Sequence, residues 1–262
     1  MNTLVQSPAP SSNLGPGRPV HCSEAEWALR CELAHCYHLI DYMGWSETIF
    51  NHISARLPGA QHHYLINPFG LLYSEVTPAN LLKIDLSGQK VEDAPFDANP
   101  AGFALHAVIH AHREDVRCII HTHTTAISAI AVKAGGFDHN NFYGAQIYGR
   151  VGYHDFEGIT LFDEEKPRML ASLGDKHVLM LRNHGVAVAG ASIAQAFFLL
   201  WTVQRAAEIQ CAAAALAGPD APVSDTIRAK CTRLATDLTR NSGFADKFFA
   251  AMVRKMQADR GG

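Results

Sequence analysis

Short apolar runs rich in β-branched residues alternate with helically periodic stretches along this chain, without the even strand–helix period that closes a barrel. Val116 to His121 is the clearest such run and reads as a buried strand. His177 to Arg182 and Val186 to Ala189 form two more, set around the tight turn Asn183-His184-Gly185. Thr48 to Arg56, His63 to Asn67 and Leu82 to Asp85 are further strand-like pieces, the first two split by Pro58-Gly59. Strands this short, some joined by tight turns, favour a three-layer α/β/α domain around a mixed, largely antiparallel central sheet. No G-x-G-x-x-G follows a strand and no G-x-x-x-x-G-K-[ST] occurs, so a Rossmann or P-loop architecture is disfavoured.

The helical stretches have readable ends. Ser23 and Glu26 make a capping-box pattern before an amphipathic run from Glu24 to Met43, and Gly44 stops it. Pro100 to Arg113, Thr124 to Ala134, Glu164 to Leu173 and Ser192 to Leu216 follow, with two closing segments at about 223–240 and 244–258. Thr77-Pro78 is expected to open a short helix, and residues 137–162 to be loop and short strands. Residues 1–22 carry Pro8, Pro10, Pro16 and Pro19 among Ser, Asn and Gly, the composition of a flexible arm. The expectation is therefore an arm over 1–22 and one domain over 23–262, with C-terminal helices from about 220.

Composition narrows the partners. With 48% hydrophobic and 18% charged residues the body is expected to be globular. A formal charge of −3 lacks the basic excess that follows a phosphate backbone, so nucleic acid is not an expected partner. No apolar run approaches the roughly 18 residues that span a bilayer, so no membrane partner is expected. Six cysteines without a C-x-x-C pair, and no signal-peptide pattern at the N-terminus, point to reduced thiols and a cytoplasmic location.

Histidine is the unusual residue, with 15 in the chain. In Ile119-Ile120-His121-Thr122-His123 a side-chain period of two puts both histidines on one face at a strand end. Two imidazoles so placed can share a metal. His184, in its turn between two apolar strands with Gly185 allowing close backbone approach, is the candidate third ligand. Three neutral imidazoles leave positions open for water or substrate, as catalytic zinc sites do. Zinc is the first expectation; manganese, iron, cobalt and nickel also suit such a site.

These motifs, taken in order, resemble the class II aldolase/adducin family. The likeness rests on Asn51-His52-Ile53-Ser54-Ala55-Arg56, Leu65-Ile66-Asn67-Pro68-Phe69-Gly70 and Asn99-Pro100-Ala101-Gly102-Phe103. It continues in His121-Thr122-His123, Tyr153-His154-Asp155-Phe156-Glu157-Gly158 and Arg182-Asn183-His184-Gly185, spanning roughly residues 24–218. The resemblance implies a three-histidine metal site, a small hydroxy-carbonyl substrate cleaved by enediolate or enolate chemistry, and a homo-oligomer, most often a tetramer. Asn51 and Gly70 match substrate-binding positions. Gly102 falls where the sugar-phosphate aldolases carry their acid/base carboxylate, as in the adducin branch. Phe69 replaces a hydroxyl residue, and Pro100-Ala101 replace a pair of serines.

Other groups could carry protons in place of the absent acid. His106 lies one helical turn beyond Gly102, and Tyr143 and His154 lie in the loop-rich segment with Tyr148, Asp155 and Glu157. Each also has a plainer reading, as helix packing for His106 or a turn for His154-Asp155. Arg56, at a strand end, could meet an anionic substrate or simply pair at the surface. Three functions remain open at this point. They are a metal-dependent lyase such as an aldolase or decarboxylase, a non-catalytic adducin-like binding protein, and a non-haem iron oxygenase. The last lacks a visible carboxylate ligand.

Overall fold

Seven strands of the computed structural model, which describes residue 18 and residues 22–59, 61–159 and 163–261, form one sheet. They are β1 (His52–Arg56), β2 (Tyr64–Ile66), β3 (Leu82–Ile84), β4 (Cys118–Thr122), β5 (Val151–His154), β6 (Val178–Leu181) and β7 (Gly185–Gly190). Their order is β3-β2-β1-β4-β7-β6-β5. Each neighbouring pair is antiparallel except β5 beside β6. Eight α-helices accompany them among the described residues: α1 (Glu24–Tyr42), α2 (Pro100–His112), α3 (Thr125–Ala131), α4 (Phe142–Gln146), α5 (Lys166–Leu173), α6 (Ile193–Ala213), α7 (Asp225–Asn241) and α8 (Phe244–Asp259). Apart from Arg18 and Cys22, the arm expected over 1–22 lies outside the described residues.

The sheet divides two apolar layers because its side chains alternate. Ile53, Ala55, Ile120, Met180 and Val188 face a cluster shared with α1, α3, α6 and α8. Ile119, Leu179, Ala187 and Ala189 face the other way, onto Leu105, Val108 and Ile109 of α2 and Met169 and Leu173 of α5. Ile119 and Ile120 are both fully buried on opposite faces, each stabilising the fold by roughly 1.5–3 kcal/mol through removal of apolar surface from water.

Local chemistry explains where elements depart from the sequence expectation. Thr48 takes a left-handed backbone (φ 48°), so the strand begins at His52 rather than Thr48. Thr77-Pro78 opens a turn and no helix. The Thr77 amide donates to Asn80 Oδ1 at 2.8 Å and the Asn80 amide to Thr77 Oγ1 at 3.2 Å, which closes the segment on itself. Within 137–162, the five-residue α4 is too short to show a period. Asn141 starts it, its Oδ1 accepting from the amides of Tyr143 and Gly144 at 3.1 and 2.8 Å.

One interface is polar. His52, Ser54 and Arg56 share a face of β1, and Gly102, His106 and His110 recur every fourth residue along α2. His52 Nδ1 lies 2.8 Å from His106 Nε2, and Ser54 Oγ lies 2.5 Å from His106 Nδ1 and 2.8 Å from His110 Nε2. Arg56 donates to the His110 carbonyl. Burial holds the imidazoles of His52 and His106 well below the usual histidine range. It pushes His110 down to about 3, with Arg56 acting in the same direction.

These rings are neutral in the fold but accept protons near pH 6.5 once the chain unfolds. Below that pH the unfolded chain binds more protons, so stability declines from about 6.5 down towards the folded values. Each such histidine contributes a slope of up to about 1.4 kcal/mol per pH unit in that window. Urea unfolding in chelator between pH 7.5 and 5 checks this. His110→Gln is expected to shed about 1 kcal/mol per pH unit of the slope; an unchanged slope contradicts the assignment.

Candidate metal centre

The β1–β4 and β4–β7 ladders fix the site. His52 pairs with His121, and His121 with Ala187, so the end of β4 lies beside the start of β7. His121 closes on the α2 side of the sheet, and His123 follows two residues on. His184 enters from the turn between β6 and β7. That turn depends on Asn183, whose left-handed backbone (φ 56°) suits asparagine, and on Gly185. A Cβ on Gly185 would stand 2.5 Å from the Thr122 carbonyl oxygen and 2.8 Å from His123 Cδ2. Glycine therefore lets the two ligand-bearing segments meet. Ser128 Oγ donates to the carbonyls of both His123 and His184, at 3.2 and 3.1 Å, and ties them together from α3.

The three rings converge through Nε2. His123 Nε2 is 2.6 Å from His121 Nε2 and 2.8 Å from His184 Nε2. One ligand atom from each lies within 4.8 Å of the others, a set that could hold a metal ion. The far sides of two rings fix their tautomers. His121 Nδ1 lies 2.9 Å from the Val186 carbonyl and His123 Nδ1 2.7 Å from a Glu47 carboxylate oxygen. Both partners accept, so both Nδ1 atoms carry a proton. The Nε2 atoms are thereby turned towards one another, the arrangement in which three imidazoles can share an ion. Burial, reinforced by the neighbouring imidazoles, holds His121 well below the usual range and lowers His184 to about 4. His121 and His184 are thus held in the neutral form that metals require.

A cavity of about 330 Å³ opens over the triad, with Glu47, Phe50, His52, Asn99, Leu105 and Phe156 among its walls. Phe50, Phe156 and Ile159 stand exposed at its rim. His52 stacks on His121 with ring centroids 4.7 Å apart. Its ring fills the space beside Gly102, where an added Cβ would meet His52 Cδ2 at 2.4 Å. While His52 holds this place, position 102 has no room for a side chain.

The other sequence candidates sit apart from this cavity. His106 is fully buried behind His52, not on the cavity wall. Tyr143 packs on Trp201 with centroids 5.2 Å apart. His154 ends β5, bonded to Ser172 at 3.2 Å and Glu165 at 3.1 Å. Asn51 is wholly buried, and its Oδ1 accepts from the Glu47 amide at 2.6 Å, so it supports the loop that carries Glu47 and Phe50. Arg56 is buried in the β1–α2 seam, with Nη1 3.2 Å from His62 Nδ1. Gly70 makes a turn with φ 97° after β2. No local pattern in the sequence marks Glu47 or His52 as part of the site. The place of His52 beside His121 comes from a strand pairing between residues far apart in the chain. Glu47 has no local pattern at all.

Comparison with known proteins agrees with this geometry. The family profile "Class II Aldolase and Adducin N-terminal domain" matches residues 31–211. A Pseudomonas aeruginosa protein named "Putative aldolase class 2 protein" is 44% identical over 188 residues, 72% of each chain. Alpha-adducin of Rattus norvegicus is 41% identical over 225 residues, which is 84% of this chain and 30% of adducin. The crystal structure of an aldolase II superfamily protein from Pseudomonas syringae superposes with a TM-score of 0.85 at 36% identity, covering 90% of this chain and 95% of that one. L-fuculose 1-phosphate aldolase from Glaciozyma antarctica shares the fold, with a TM-score of 0.78 at 22% identity over 93% and 96% of the two chains. The profile match, the identities and the shared fold show that the chain belongs to the class II aldolase/adducin family.

Proposed function

We propose that this protein is a metal-dependent carbon–carbon lyase acting on a small hydroxy-carbonyl compound, as an aldolase or decarboxylase. The observation that carries the reading is the convergence of the Nε2 atoms of His121, His123 and His184, 2.6 and 2.8 Å apart, beside a cavity. His121, His123 and His184 would hold a divalent ion, zinc in the first instance, which when bound supplies Lewis acidity to a carbonyl oxygen. Glu47 keeps the His123 proton on Nδ1 and so aims Nε2 at the ion. Phe50, Phe156 and Ile159 offer an apolar rim that limits water around a bound substrate.

Gly102 has no group with which to move a proton, and one general acid or base is typically worth roughly 10²- to 10⁴-fold in rate. A substrate of this protein accordingly needs less proton transfer at that position, or brings its own acid. A second reading, an adducin-like binding domain without turnover, is favoured by the same Gly102 and by the 41% identity to alpha-adducin. A retro-aldol and decarboxylation screen with metal-saturated protein separates the two: turnover supports the lyase, and its absence across the screen supports the binding domain.

Three expectations follow from the site. Elemental analysis should find about one metal ion per chain, emptied by chelator and lost in the His121→Ala/His184→Ala double variant. Gly185→Ala should lower metal affinity by about 10-fold or more, because its Cβ displaces His123; stoichiometric metal in the double variant would sink the proposal. Fuculose, rhamnulose and ribulose phosphates should be turned over slowly or not at all. Gly102→Glu should not restore that activity, because its side chain collides with His52; fast cleavage by either protein would contradict this account. We also propose a homo-oligomer, a tetramer by family likeness, and light scattering that finds a monomer over the whole accessible concentration range would refute it.

A further inference from the structure

The opposite end of β7 borders a second and larger cavity, of about 480 Å³, that shares no lining residue with the histidine triad. Ala189 and Gly190 close one side of it, the first turns of α6 another, and α7 a third. Arg150 and Arg240 both line this cavity. Among the described residues neither guanidinium has an ion pair. The side-chain hydrogen bond of Arg240 goes to His177, with Nη2 3.1 Å from Nε2. His177 Nδ1 lies 3.0 Å from the Ala189 carbonyl and holds its proton there, so Nε2 accepts from Arg240 and aims it along the wall. The carboxylate on the wall, Asp115, is already engaged: Arg113 grips both of its oxygens at 2.8 Å. Half-buried Arg150 and exposed Arg240 thus face one partly enclosed space with no carboxylate paired to either, an arrangement that an anion would complete.

The rest of the wall tells what kind of anion. Thr202, Thr236 and Thr239 each donate their hydroxyl proton to the carbonyl four residues back, at 2.9, 2.8 and 2.7 Å. Their oxygens are left as acceptors, suited to a ligand's own hydroxyl groups. Phe198 and Leu199 add an apolar patch for a carbon skeleton. α7 is turned inside out to make this wall. Its threonines face the cavity while Leu234 and Leu238 stand about half exposed, at 49% and 53%. Burial lowers Arg150 to about 10 and the charge of Arg240 adds to the shift, a sign that the two charges feel each other. α7 lies beyond residues 31–211, the part matched to the family profile.

We propose that Arg150 and Arg240 form an anion site for a small hydroxylated organic phosphate or carboxylate, separate from the metal centre. Guanidinium groups pair with the oxyanion in two-pronged fashion, and the threonine oxygens select a hydroxylated ligand over a bare ion.

Isothermal titration of the metal-loaded protein with inorganic phosphate, glycerol phosphate and glycerate, at constant ionic strength, tests this. Saturable binding is expected, with glycerol phosphate tighter than inorganic phosphate. The glycerol phosphate and glycerate arms separate the phosphate source from the carboxylate source. Arg150→Gln and Arg240→Gln should each weaken binding by about 10-fold, the loss of one charged hydrogen bond, and His121→Ala should leave it in place. Retention in His121→Ala also separates this site from the lyase reading, which fails or stands on the metal analysis and the turnover screen. The double glutamine variant should melt no lower than the wild type, because it removes two unpaired charges, so loss of binding cannot be laid to unfolding. Absence of saturable binding, or binding undiminished in the double variant, overturns the proposal. So does a double variant that loses only self-association, which would assign the two arginines to a carboxylate of a second copy.

Discussion

The antiparallel register of β1, β4 and β7 is the constraint on which the site depends. Because His52 pairs with His121 and His121 with Ala187, a shift of one residue in either ladder would send the imidazoles to the opposite face of the sheet. There they would meet the apolar layer of Ile53, Ile120 and Val188, where bare imidazole nitrogens find no partners. The apolar residues flanking the histidines thus do more than fill space. Ile119 and Ile120, fully buried on opposite faces, set the phase of the strand, and that phase determines where His121 points.

The same register explains why a polar seam is tolerated between β1 and α2. Each group in it has a partner that depends on the next: His52 on His106, His106 on Ser54, Ser54 on His110. Burial keeps these rings uncharged, so the seam avoids the far larger penalty of an isolated internal charge. A neutral chain of this type also holds His52 rigidly against His121. The wall of the metal cavity is therefore fixed by residues that never touch it. His106 belongs to that support, which explains how a residue chosen from the sequence for its nearness to Gly102 can matter without reaching the cavity.

Much of this architecture was legible in the sequence because its signals are local. A period of two marks β4 and puts His121 and His123 on one face; the Asn183-His184-Gly185 turn announces itself by residue type. Ser23 caps α1 as its pattern implies, accepting from the Glu26 amide at 3.1 Å. What stayed hidden was long-range or too short to be periodic. The five-residue α4 shows no pattern, and Thr77 with Asn80 closes a turn where a helix was expected. Glu47 reaches His123 across 76 positions of sequence. No local pattern encodes such a contact, so Glu47 is not legible in the sequence, while Tyr143 and His154 resemble site residues only by type and by lying in a loop-rich segment.

The exchange at Gly102 is best understood as a coupled change. A carboxylate at this position would need the volume that the His52 ring occupies, since even a methyl group there would approach Cδ2 to 2.4 Å. His52 cannot swing aside cheaply, because its Nδ1 is bonded to His106 and its face is stacked on His121. The glycine and the histidine therefore require each other. The wall beside the histidine triad is built around an imidazole, with a hydrogen-bonded row behind it that holds the imidazole still. What the wall presents to the cavity at this point is therefore an imidazole held in one orientation, not a carboxylate free to move a proton.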